Sequence, residues 1–65
     1  MADTEPVVIT VELTDQEAWD FAQFLKRVGH SDYLVNAENS EQAYRMLFAG
    51  EKVRAALADV GYAPR

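Results

Sequence analysis

The sequence contains no cysteine. That excludes disulfide staples and removes the thiolates from which most structural zinc sites are built. It has one histidine, three glycines and two prolines. The glycines fall inside helical patterns or at their ends, so no Gly-rich loop for cradling a phosphate is present. No apolar run approaches the roughly 20 residues of a membrane span. The opening Met-Ala-Asp-Thr-Glu-Pro is acidic where a signal peptide would be basic. A soluble, intracellular protein with no membrane partner is expected. The first lysine or arginine is Lys26, so positive charge is missing from more than a third of the chain.

What remains is a chain of 65 residues, read as a single domain (1–65) with a flexible tail at 1–5. A domain this small buries only about 60% of the surface its unfolded chain exposes, which leaves tight helix packing or oligomerisation to stabilise it. The net charge is −5, but residues 1–25 carry −6 and residues 26–65 carry +1. Acidic residues near a helix start also aid helix stability and solubility, which is the plainer reading. The sharper one is a surface that presents carboxylates where a partner expects phosphates.

Val7, Ile9, Val11 and Leu13 alternate with Val8, Thr10 and Glu12, a period of two that predicts a half-buried strand, with Pro6 suited to its start. Thr14 then opens a helix through a capping box with Glu17. Asp15 and Glu17 sit at the positive end of its dipole, Lys26 and Arg27 at the other, and Gly29 is its expected stop. Ala18, Phe21, Ala22, Leu25 and Val28 form the apolar face. Trp19 and Phe24 lie just off it, either wrapping the core edge or serving as aromatic anchors for a partner. Ser31 is expected to cap a short helix with Tyr33, Leu34 and Ala37 inward; a strand at Tyr33–Val35 is the rival reading. Asn39 or Ser40 caps a long helix whose apolar stripe is Ala43, Met46, Leu47, Gly50, Val53, Leu57 and Val60. Gly50 on that stripe allows another group to come close. Gly61 suits a left-handed cap with Tyr62 folding back, and Pro64 prevents continuation. The predicted fold is α+β and mostly α, ordered β-α-α-α. It leaves open whether the strand is an exposed edge, pairs with a copy of itself, or pairs with Tyr33–Val35.

The residues offer little chemistry. His30 beside Ser31 makes no nucleophile, base and orienter set. One histidine with scattered carboxylates gives no metal pattern, and a domain this small has little room for the cleft that a carboxylate dyad needs. No catalytic residue, cofactor or metal is expected, and the reading is of a non-enzyme.

Two resemblances bear on function. The order of a strand and helices, with Ile-Thr-Val-Glu-Leu-Thr-Asp-Gln-Glu, resembles the opening of ribbon-helix-helix repressors, which dimerise through the strand and read the major groove with its outward residues. Here those residues would be Val8, Thr10 and Glu12. None is basic, Glu12 and Asp15 would repel phosphate, and the segment His30–Asn39 is longer than that family's turn. A stronger likeness lies in Val-Glu-Leu-Thr-Asp-Gln-Glu-Ala, Ala-Gln-Phe-Leu-Lys-Arg-Val-Gly and the close Gly-Tyr-Ala-Pro-Arg. Over nearly the whole chain this resembles small type I-C anti-CRISPR proteins of phages and other mobile elements. The resemblance implies a non-enzymatic inhibitor in the bacterial cytoplasm that stands in for DNA on the host's type I-C surveillance complex. It would act as a monomer or weak homodimer, without touching nucleic acid itself. The charge-bearing set is then Glu12, Asp15, Glu17 and Asp20, with Asp32 and Glu38 as extensions and Trp19 or Tyr33 as aromatic anchors. The alternative is a ribbon-helix-helix-like DNA-binding regulator or antitoxin.

Overall fold

The computed structural model describes residues 5–65. The expected tail at 1–5 therefore lies outside the described residues except for Glu5. Three helices follow one another: α1 (Asp15–Arg27), α2 (His30–Leu34) and α3 (Ser40–Asp59). The domain is all-α among the described residues, which corrects the β-α-α-α expectation. Residues 6–13 are an arm without regular secondary structure. Their alternation is the mark of a strand, but a strand exists only when its backbone finds a ladder. The rival second strand at Tyr33–Val35 is absent because Tyr33 and Leu34 lie in α2.

Local chemistry explains the helix boundaries. Thr14 Oγ1 accepts from the Glu17 N–H at 3.1 Å, and the Glu17 carboxylate accepts from the Thr14 N–H at 2.9 Å, the reciprocal box expected of the sequence. Helix α1 stops at Val28, whose backbone is extended, one residue before the expected Gly29. Gly29 instead caps α2, and Asp32 reaches back to accept its N–H at 2.9 Å. Ser31 is thus inside α2 and does not cap it, because the carboxylate three positions after Gly29 fixes the start. Asn39, one of the two expected caps, opens α3 by accepting from the Gln42 N–H at 2.8 Å. At the far end Gly61 adopts φ of 104°. The Tyr62 N–H reaches the Leu57 carbonyl at 2.8 Å and the Gly61 N–H reaches that of Ala58 at 3.0 Å, a Schellman closure that only a left-handed residue permits.

The core is thin. Ala18, Ala22, Leu25 and Leu57 are buried together with Tyr62 packed against them, and Ala43 is buried near the start of α3. The alanines let helices approach closely but remove little apolar surface from water. Several residues expected inside are not. Phe21 and Leu34 are exposed, as are Val53 and Val60 of the α3 stripe. On α1 the buried arc is centred on Ala18, Ala22 and Leu25, which leaves Phe21 on its flank. Trp19 wraps the core edge by meeting Tyr62 edge-on with ring centroids 5.0 Å apart. Phe24, also expected at that edge, is exposed.

Candidate protein-binding surface

The α-helical repeat of 3.6 residues places Glu17, Asp20, Phe21 and Phe24 within roughly 100° of one another on α1, beside the buried arc. Leu13 at the end of the arm joins them. Leu13, Glu17, Asp20 and Phe21 line an open hollow of about 500 Å³. Phe21 stacks on Phe24 with ring centroids 5.8 Å apart and planes 8° from parallel. Phe24 in turn lines a second hollow with Arg27, Asp32 and Val35. The two hollows adjoin at the Phe21–Phe24 pair, with Glu17 and Asp20 lining the first and Arg27 and Asp32 the second.

These carboxylates are held but not neutralised. One oxygen of Glu17 is committed to the Thr14 N–H, and Asp20 Oδ1 accepts from Gln16 Nε2 at 2.8 Å. Neither has a cationic partner: among the described residues the one ion pair is Glu51 with Arg54, at 3.9 Å and on the surface. Fixed, exposed carboxylates around an apolar floor suit an incoming lysine or arginine, whose stem packs on Phe21 and Leu13 while its head meets the charge.

The other expected site residues scatter. Glu12 is exposed on the arm. Asp15 lies on the opposite side of α1 from Glu17, where its Oδ1 accepts from the Tyr62 hydroxyl at 2.6 Å. That bond, with burial and the nearby negative charge, raises the Tyr62 phenol above its ordinary value of 10.0. Asp32 spends one oxygen on Gly29. Glu38 is exposed in the connector before α3, its N–H donating to Gln42 Oε1 at 2.5 Å. Trp19 is 36% exposed against Tyr62. Tyr33 is half-buried with the tip of its ring over Gly50, so the close approach expected at that glycine is made by Tyr33. The structure therefore brings Glu17 and Asp20 together and sends Asp15 elsewhere. The exposed Phe21–Phe24 pair was missed; the signal for it is that both share a flank with Glu17 and Asp20.

Among the described residues no three histidine, aspartate or glutamate side chains converge as metal ligands would. No helix of those residues is long and apolar enough to cross a membrane.

What the arrangement defines is a small three-helix domain with an acidic, aromatic flank on its first helix. The chain belongs to a family of unknown function, DUF7706, whose family model matches residues 1–65. No curated protein and no solved structure matches the chain.

Proposed function

We propose that the protein is an inhibitor that binds a cationic, DNA-binding surface of a protein partner through the Glu17–Asp20 flank of α1. The type I-C CRISPR surveillance complex is the partner implied by the sequence resemblance. The observation that carries this reading is the set of carboxylates on α1 that have no cation to answer them and border an exposed apolar strip. A surveillance complex holds target DNA in a positively charged channel. Carboxylates fixed by a capping box and a helix would enter such a channel without being ordered on arrival, and long-range attraction would speed encounter. Glu12 on the arm is a further exposed carboxylate, whereas Asp32 beyond Phe24 shares its hollow with Arg27.

The test is a competition gel shift with purified type I-C surveillance complex and labelled target duplex. Prior addition of this protein should abolish the shifted band. A variant with Glu17→Gln, which keeps the capping bond, and Asp20→Lys should inhibit at least about tenfold less well, a loss of about 1.4 kcal/mol. A folded double variant that inhibits as well as the parent would remove the flank from the account, and an unchanged band with the parent would overturn occlusion of the DNA site.

The second reading, a DNA-binding dimer, draws support from the unpaired arm that leads into α1. Its outward residues Val8, Thr10 and Glu12 are not basic, so a gel shift caused by the protein by itself is the result that would favour it.

A further inference from the structure

The arm and the C-terminal half of α3 form a surface that the acidic flank does not use. Ile9, Val11 and Leu13 line an open groove of about 360 Å³ together with Val53, Ala56 and Val60. Alternation places Val7 on the same side. Yet Val7 is 87% exposed, Ile9 72% and Val11 64%. Among the described residues no backbone N–H or C=O of residues 6–13 is bonded to another backbone group. A β-branched segment with an open row of donors and acceptors is a template for a further strand.

We infer that a second copy of the chain supplies that strand. The two arms pair antiparallel about Thr10, and the apolar face of the resulting ribbon covers the α3 groove of each protomer. The register follows from the residues. About Thr10, Val7 stands opposite the partner's Leu13, Ile9 opposite the partner's Val11, and Val8 opposite the partner's Glu12. Every apolar residue of the inner face meets another, and the two Glu12 carboxylates stay apart. A ribbon centred on Glu12 would set those carboxylates against each other. One centred on Val11 would place Val7 opposite the partner's Asp15, which is already in a helix. A slip by a single pairing position would turn the apolar face outward.

The size of the exposed surface agrees. A compact protein of 7.3 kDa is expected to expose about 4200 Å², whereas this chain exposes 5500 Å². Its radius of gyration is 13.1 Å, against about 10.7 Å for a compact domain of this length. The surplus is spread over the whole surface, and the arm with the α3 groove is the part of it that a ribbon would cover. A two-stranded ribbon in water is marginal unless its apolar face is covered, and the α3 grooves provide that cover. Each copy carries −5, so repulsion opposes the dimer and salt strengthens it, the reverse of its effect on binding to a cationic partner.

The absence of native cysteine makes a single introduced thiol a clean probe. Directly opposite residues have Cα atoms about 4.5–5.5 Å apart, within the span of a disulfide. Thr10→Cys should therefore form a covalent dimer under mild oxidation. Val8→Cys and Glu12→Cys, each about 13 Å from its own copy in this register, should do so about tenfold more slowly or not at all. Sedimentation should give the wild-type chain a dimer mass that persists at high salt. Thr10 is exposed, and unchanged helical circular dichroism of reduced Thr10→Cys would establish that the variant folds. A monomer mass at every soluble concentration, or equal oxidation rates at the three positions, would overturn the proposal. The dimer is shared with the second reading, which requires in addition that the protein shift DNA by itself, and it stands or falls separately from inhibition of a DNA-binding partner.

Discussion

Tyr62 is held at two points, by its backbone N–H on the Leu57 carbonyl and by its hydroxyl on Asp15. The second bond makes a specific pH dependence. Because the folded phenol lies above 10.0, the native state holds its proton more tightly than the unfolded chain does. The stability it contributes is complete below the unfolded value and is lost as pH rises through the folded one. Titration of tyrosinate absorbance should therefore show one phenol ionising late, and Asp15→Asn should bring that phase down. Tyr62→Phe should remove it and flatten the loss of stability above about pH 10. Asp15→Ala removes the acceptor altogether, and an unchanged titration in that variant would show that this bond does not hold the proton. Residue-scale features of this kind are partly legible in the sequence. Tyr62 folding back after Gly61 follows from the chain, because the left-handed cap and its two bonds are local. The Asp15 partner is not legible, because nothing near residue 15 announces a hydroxyl from the other end of the chain.

Between elements, α2 and α3 meet where a side chain is missing. A Cβ added at Gly50 would lie 3.2 Å from Tyr33 Cζ and collide with the hydroxyl oxygen. Gly50→Ala gains about 1 kcal/mol of helix propensity but displaces a rigid ring at a cost of about 1–3 kcal/mol. The net expectation from chemical denaturation is a loss of about 1 kcal/mol, turning into a gain of up to about 1 kcal/mol in a Tyr33→Phe background, where the colliding atom is gone and the helix propensity of alanine remains. Equal effects in both backgrounds would place the cost elsewhere. Elements set by neighbours in sequence were readable: Thr14 with Glu17, and Asn39 with Gln42, define their helix starts without help from the rest of the fold. The arm was not. Val7 to Leu13 has the pattern of a strand, but the pattern names only a tendency, and its hydrogen-bond partner is not among the described residues of the same chain. The flank of α1 was readable only in part, because Phe21 and Trp19 lie on either side of the buried arc. Packing against Tyr62 decides between them.

The whole molecule is a thin body of 35 × 28 × 16 Å, scarcely deeper than a helix with one layer of side chains on it. No large side chain of the described residues is fully buried. Stability of a domain this small is a few kcal/mol at best from such a core. If two copies share their arms, unfolding is coupled to dissociation, and the thermal midpoint should rise with protein concentration. A midpoint that does not move over a hundredfold dilution would point to a monomer that is stable as it stands.

The clasp between Asp15 and Tyr62 spans 47 positions, and this has a consequence for how the chain is made. On the ribosome, α1 can form as soon as its own residues emerge, since its capping box is local. Its docked position cannot be completed until the turn after α3 has also emerged, so the final closure waits for the end of α3. During synthesis the exposed arm and the Phe21–Phe24 pair are thus presented before the domain is closed.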